Sequence, residues 1–206
     1  MPDFLLEDAI DGTVAGVDEA GRGPWVGPVV AGCAVFLNRN VDACLLDNLN
    51  DSKKLSKKKR EMLYDLLMQE KERGNMLLGI GEASAQEIDE INILNASFLA
   101  MKRAIEAAGA KPEMVLVDGN REPKNFGFRV QAVVKGDAKS YSVSAASILA
   151  KVYRDRLLEE MAQKYPGYGF EKNAGYGTKA HIEGLKQFGV TPEHRKSYAP
   201  IKEFLK

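Results

Sequence analysis

The chain has 206 residues, 45% of them hydrophobic, which is enough for one domain with a core that needs no covalent staple. Lysine plus arginine total 29 and aspartate plus glutamate 29, so net charge makes no case for nucleic acid, and any such binding has to come from how charge is distributed. Two cysteines, Cys33 and Cys44, exclude a disulfide framework and lack the neighbours of a zinc site; Cys33 is expected to be a buried free thiol, in keeping with a reducing cytosol. No basic start followed by an apolar core marks a signal peptide, and no apolar run reaches membrane-spanning length, so a cytoplasmic location without membrane association is expected.

Taken in chain order, the pattern predicts strands at 13–19 and 28–37 around a glycine- and proline-rich loop. A helix at 57–73, a strand at 75–82 and helices at 85–90 and 93–108 follow. Strands at 114–118 and 128–134 precede helices at 140–164 and 179–188. Ser84 with Glu87 forms a capping box, Gly74 and Gly109 stop their helices, and Thr178 caps the helix that carries His181. Thr191-Pro192 is expected to open a short helical turn. Strands come early in pairs and helices accumulate later. That order predicts an α/β fold, a mixed sheet flanked by helices, over residues 1–164. A small C-terminal helical cap, 165–206, packs on the same domain.

The segment Gly16 to Val30 places two adjacent carboxylates, Asp18 and Glu19, at the end of a strand, followed by one cation, Arg22, between two glycines. Side-by-side acids repel, and glycine weakens a strand, so a cation is expected on Asp18 and Glu19 and an anion against Gly21, Arg22 and Gly23. Neighbours on a regular strand point to opposite faces, so the strand is expected to end, twist or bulge at Glu19. Asp118 ends a second strand just before Gly119; alone it reads as a turn residue. Asp137 in Lys135-Gly136-Asp137 alone reads as an acid at a helix N-terminus. Ser140, Ser142 and Ser144 crowd one helix start, where capping and phosphate binding are both open. His181 reads as a surface helix residue, and nothing places His181 or His194 near an acid.

These segments resemble the ribonuclease HII (type 2 ribonuclease H) family. The first motif, Asp51-Ser52-Lys53-Lys54-Leu55, Val117-Asp118-Gly119, Lys135-Gly136-Asp137, the run Ser144 to Asp155, Tyr165 to Gly169 and Gly175-Tyr176-Gly177-Thr178 occur in the family's order, from about Val14 to Pro200. Trp25-Val26 departs from the smaller pair common there. The resemblance implies a ribonuclease H-like catalytic domain and a metal site of Asp18, Glu19, Asp118 and Asp137, binding Mg2+ or Mn2+. It implies two-metal-ion hydrolysis leaving 3′-hydroxyl and 5′-phosphate ends. Gly21, Arg22, Gly23 and Tyr176 are implied to sense the ribonucleotide at an RNA–DNA junction. The expected partners are RNA–DNA hybrids and duplex DNA containing ribonucleotides, with the protein acting as a monomer.

Lys53, Lys54, Lys57, Lys58, Lys59 and Arg60 form a basic run at a helix start, where the dipole disfavours cations, so phosphate contact competes evenly with a solvated face. His194-Arg195-Lys196 is a second group that could touch a duplex. The segment 202–206 lacks the paired aromatics of a sliding-clamp peptide, and no clamp partner is expected through it. An exonuclease with an acidic metal site is opposed by the Gly-Arg-Gly and Gly-Tyr-Gly pair. A non-catalytic binding module is opposed by acids at all four positions. A dinucleotide-binding loop is excluded because a strand follows the glycines where a helix is required.

Overall fold

The computed structural model describes residues 1–205. Its centre is a five-stranded sheet built from β1 (Val14–Ala20), β2 (Val29–Phe36), β3 (Met76–Ala83), β4 (Met114–Asp118) and β5 (Val130–Val133), in the order β3-β2-β1-β4-β5. β1, β2 and β3 form an antiparallel meander, while β4 and β5 run parallel to β1. Eight α-helices accompany it: α1 (Leu5–Asp8), α2 (Ala43–Asn48), α3 (Lys57–Glu72), α4 (Ala85–Ala108), α5 (Tyr141–Lys164), α6 (Phe170–Asn173), α7 (Lys179–Phe188) and α8 (Ala199–Lys202). The short α1 and α2 had no counterpart in the sequence pattern, because four to six residues carry too little periodicity to register.

The two long helices press on opposite faces of the sheet. Ala96, Ala100, Ala104 and Ile105 of α4 meet Val17, Ala31, Cys33 and Val117 on one side. Ala145, Ala146, Ile148 and Leu149 of α5, with Leu63 and Leu67 of α3, meet Ala34 and Leu78 on the other. Missing side chains set the spacing. A Cβ on Gly16 would stand 2.2 Å from the Ser142 carbonyl carbon, and one on Gly32 2.2 Å from the Ala146 oxygen. Gly79 and Gly81 do the same under α4, where a Cβ would lie 2.1 Å from the Ala104 oxygen and 2.3 Å from the Ala100 oxygen. Both helices therefore ride with backbone against backbone, and the strands between them cannot shift.

Local signals place the ends. The Ser84–Glu87 capping box is formed in both directions, and Gly109 ends α4 at φ +66°. The helix breaks at Asn92, φ 66° and ψ 162°, where the Asn92 side chain accepts from the Leu94 and Asn95 amides at 3.0 and 3.2 Å. At the start of α5, the Ser140 hydroxyl accepts from the Val143 amide and donates to Glu7 Oε1 at 2.6 Å. The same Glu7 oxygen takes the Ser142 amide at 3.0 Å. An internal carboxylate thus fills this helix N-terminus and Ser140 caps it, while the Ser142 and Ser144 hydroxyls are buried without a hydrogen-bond partner.

Beyond α5 the chain folds over its C-terminal half. Tyr168, Phe170, Leu185 and Ile201 form an apolar cluster with Leu158 and Met161 of α5 and with Val26 from the loop between β1 and β2. Thr191-Pro192 does not open a helix: the chain turns there, and His194 bridges to Val26 in antiparallel fashion. Cys33 is buried and its thiol is pushed up to about 12 by burial; Cys44 is exposed, and neither is bonded. Among the described residues no helix is long and apolar enough to cross a membrane.

The close seat of α4 yields a stability prediction. Gly79→Ala drives a methyl into helix backbone, and overpacking of this kind costs about 1–3 kcal/mol. Its thermal midpoint should fall by roughly 2–4 °C per kcal/mol, read by calorimetry or circular dichroism. An unchanged midpoint would mean that α4 does not hold this spacing.

Candidate active site

The acids lie where β1 and β4 reach their C-terminal ends. β1 stays in regular register with β2 through Asp18↔Gly32, Glu19↔Ala31 and Ala20↔Val30, while its pairing with β4 stops at Val17↔Val117. Of the end, twist or bulge expected at Glu19, the pairing with β2 shows neither an end nor a bulge there. Strand alternation holds instead. Asp18 shares a face with Gly16 toward α5, where Ser147 hydrogen-bonds its carboxylate. Glu19 turns the other way, into a cleft of about 320 Å³ that it shares with Arg22, Ser97, Asp118, Asn120 and Arg121. Both acids reach one rim because the sheet ends beneath them.

Asp118 stands between these two sides. Its Oδ1 accepts the Gly136 amide at 2.7 Å, which ties the end of β4 to the turn that carries Asp137. Its charge is felt by Asp18, Glu19 and Asp137 alike. Asp18 is 6% exposed and Asp137 8%. Burial, then the charges of Glu19 and Asp118, hold the Asp18 carboxyl well above the usual carboxylate range, against the Ser147 hydroxyl and the Glu19 amide. Burial also raises Glu19, with Arg22 opposing it, and Asp137 is pushed up to about 6 by burial, Asp118 and Asp51.

Two residues outside the expected set belong to this rim. Burial works against the charge of Lys53, yet Asp18, Asp51, Asp137 and Asp118 together hold its ammonium above the ordinary value. Ser52 beside it hydrogen-bonds Ser147 at 2.8 Å, joining the 3-10 turn Ser52–Lys54 to α5. The motif Asp51-Ser52-Lys53 was visible in the sequence, but Lys53 was grouped with the basic run. That run divides in the structure. Lys53 faces the acids and Lys57 pairs with Glu159. Arg60 turns inward to the Ser52 and Leu55 carbonyls at 3.1 and 2.6 Å and to Asp155 at 3.3 Å. It is not one face.

Among the described residues, no three His, Cys, Asp or Glu side chains stand close enough to make a finished metal cage. The acids surround an open rim on both sides of the sheet edge. The donor set itself suits a hard divalent cation: it is all carboxylate oxygen, and its members resist ionising together.

The loop after β1 is shaped by a buried cation. Arg195, expected at the surface against a duplex, is 0% exposed. Its Nε donates to the Gly27 carbonyl at 2.9 Å, Nη1 to those of Arg22 and Pro24 at 3.0 and 2.8 Å, and Nη2 to that of Gly21 at 2.6 Å. The Tyr198 hydroxyl adds a bond to the Arg22 carbonyl at 2.7 Å. A second buried guanidinium, Arg154, reaches the carbonyls of Pro28, Val26 and Ala174 at 3.3 Å, and burial lowers its pKa to about 10. Gly21, at φ +98°, leaves room for it, since a Cβ there would meet Arg154 Nε at 2.0 Å. Arg22 itself stays exposed, with Nη1 3.3 Å from Glu19. Tyr176 is 53% exposed and lies against Gly23, where a Cβ would come within 3.2 Å of its ring. Trp25 fills the space over Gly177.

The chain that carries this acid rim is matched over nearly its whole length among known proteins. The family model described as Ribonuclease HII matches residues 15–200. The chain belongs to the ribonuclease HII family. Ribonuclease HII of Paramagnetospirillum magneticum is 48% identical over 205 residues, covering 100% of this chain and 99% of that one. The crystal structure of ribonuclease H2 from Pyrococcus horikoshii OT3 aligns with a TM-score of 0.73 and 34% identity, covering 93% of this chain and 96% of that one. The ribonuclease HII of Archaeoglobus fulgidus, solved in complex with PCNA, aligns with a TM-score of 0.72 and 28% identity, over 90% and 95% of the two chains. As a ribonuclease HII the chain is a hydrolase with the ribonuclease H-like fold, a mixed sheet flanked by helices.

Crowding of charge at the rim predicts a stability effect in the absence of divalent cation. A carboxyl whose folded pKa lies above the unfolded value of 3.8 destabilises the fold when ionised, and that cost disappears as pH falls toward 3.8. Asp18→Asn should therefore raise the thermal midpoint in chelator near pH 8, with the gain shrinking by about pH 4.5. A midpoint that is unchanged or lower near pH 8 would contradict the charge crowding.

Proposed function

We propose that the protein hydrolyses the RNA strand of RNA–DNA hybrids and cuts at ribonucleotides embedded in duplex DNA, leaving 3′-hydroxyl and 5′-phosphate ends. The observation that carries this reading is the continuity between the acids and the loop. Arg22 reaches back to Glu19, while Gly23 next to it carries the Tyr176 ring. A ribose seated beside Gly23 against the exposed side of the Tyr176 ring would bring its phosphate toward the acid rim.

Asp18, Glu19, Asp118 and Asp137 would hold Mg2+ or Mn2+, which when bound supplies an activated water and stabilises charge on the departing 3′ oxygen. The protein's own contributions are separable from that. The sheet and the Gly136 amide fix where Asp118 stands. Lys53 balances part of the acid charge and offers a donor to a phosphate. The Gly21–Arg22–Gly23 backbone approaches the sugar closely because two of its residues lack side chains. Tyr176 supplies the surface that tells a 2′-hydroxyl from hydrogen, the difference between the two nucleic acids at the sugar. The proposed partners are the hybrid and the ribonucleotide-bearing duplex, with the protein acting as a cytoplasmic monomer. No clamp contact is proposed through 202–206, whose last residue lies outside the described ones.

The test is a DNA duplex holding one ribonucleotide. Cleavage on its 5′ or 3′ side should require Mg2+ or Mn2+ and stop in chelator. Tyr176→Ala should slow it by about 10- to 100-fold, the scale of a misplaced reacting group, while affinity for all-DNA duplex stays within about twofold because phosphate contacts dominate it. Equal losses in both would make Tyr176 a general contact and remove the ribose-sensing role. Absence of cleavage under every metal would overturn the reading as a whole.

A further inference from the structure

His181, expected to be a surface helix residue, and His194, grouped with Arg195 and Lys196 as able to touch a duplex, are both buried and face each other. His181 Nε2 lies 3.0 Å from His194 Nε2. Their outer nitrogens fix which carries hydrogen. His194 Nδ1 accepts the Thr191 amide at 3.0 Å, so its proton sits on Nε2. His181 Nδ1 lies 3.0 Å from the Tyr176 carbonyl, which can only accept, so its proton sits on Nδ1. The middle bond then has one direction, from His194 Nε2–H to His181 Nε2. Hydrogen bonds run in a single sense from Thr191 through both rings to the backbone of Tyr176.

Nothing charged balances this pair. The rings are surrounded by Trp25, Tyr168 and Phe170, with centroids 5.1 to 6.2 Å away, and burial lowers both imidazoles, His194 to about 4. Two apolar rings would fill the same space without burying four nitrogens, so packing does not account for them. Their only outlet is the Tyr176 carbonyl. The segment that carries His194 also reaches the other loop. Residues 193–195 lie in extended pairing with 25–27, the Gly27 amide on the Glu193 carbonyl at 2.9 Å and the Arg195 amide on that of Trp25 at 2.8 Å. Neighbours in an extended segment point to opposite sides. His194 turns toward Tyr176, and Arg195 turns beneath Gly21–Gly27.

We propose that His181 and His194 are positioning residues for ribose reading: the imidazole pair, anchored on the segment whose Arg195 shapes the glycine loop, sets where Tyr176 stands over Gly23. This rests on the ribose-sensing role proposed above for Tyr176.

A double-variant cycle on the single-ribonucleotide duplex tests it. His181→Leu keeps the volume but loses the side-chain donor to the Tyr176 carbonyl, leaving the Thr178 amide there at 2.8 Å; kcat should fall about tenfold or more, with KM within about twofold and the protein still folded at the assay temperature. His181→Asn, which returns an N–H near the Nδ1 position, should recover most of the rate. The decisive arm is His181→Leu combined with Tyr176→Ala, which should be no slower than Tyr176→Ala alone, because the imidazole acts only through that tyrosine. Multiplying losses, or an asparagine variant as slow as the leucine one, would overturn the proposal and leave the ribose-sensing role of Tyr176 standing. If Tyr176→Ala alone cuts at the wild-type rate, the ribose-sensing role fails and the proposal with it. Should His181→Leu not fold, His194→Phe, which leaves His181 in place, carries the same cycle.

Discussion

Four carboxylates share the end of a rigid sheet with one ammonium, that of Lys53, among them. The resulting repulsion is a constraint that the rest of the molecule has to withstand. Asp18 cannot retreat, because Gly16 and Gly32 on either side of it seat α5 directly on the strands. Asp118 cannot retreat, because the Gly136 amide holds its oxygen. A softer scaffold would relax by turning the acids to solvent. The glycine-spaced sandwich of α4, sheet and α5 keeps them near a common rim, where a cation bound as proposed would remove repulsion and gain ligands in the same event.

The loop beside the acids is organised on the opposite electrical principle. Two guanidiniums lie in the interior with backbone carbonyls as partners. Each carbonyl–guanidinium bond is stronger than one between neutral groups, and together they offset a desolvation cost of several kcal/mol. What the chain gains is shape. A glycine loop has little intrinsic preference, and Arg195 imposes one by gathering four of its carbonyls from within. The same cations set a positive background beneath a surface proposed to receive a phosphodiester, close to a rim that would otherwise repel it.

The parts of this architecture that could be read from the sequence are those with local causes. The Ser84–Glu87 box, the stop at Gly109 and the break between 85–90 and 93–108 follow from side chains hydrogen-bonding within a few residues, as Asn92 does to Leu94 and Asn95. Strands bounded by glycine and proline were readable for the same reason. Arg195 was misplaced because its partners lie far along the chain, and no local pattern separates a buried arginine from a surface one. His181 was misplaced likewise, for its partner comes 13 residues later, past a turn. The end, twist or bulge expected at Glu19 assumed that adjacent acids must share a face. The sheet edge lets them serve one rim from two faces, and that follows from where β4 stops pairing, not from β1 itself.

The reach of Arg195 also bears on the order in which the protein comes into being. The carbonyls it collects belong to residues 168 to 174 positions earlier, most of the length of the chain. During synthesis β1 and both of its acids leave the ribosome early, and β4 and the Asp137 turn follow. The loop that would read the sugar can meet Arg154 once α5 is made, but the cation that gathers the Gly21, Arg22, Pro24 and Gly27 carbonyls arrives only with the last dozen residues. A partly synthesised chain can therefore carry every carboxylate of the site and still lack the surface that selects where to cut. If that loop reads the sugar as proposed, substrate selection would be the last property the molecule acquires as it folds, and truncation near the C-terminus would remove it before it removed the acids.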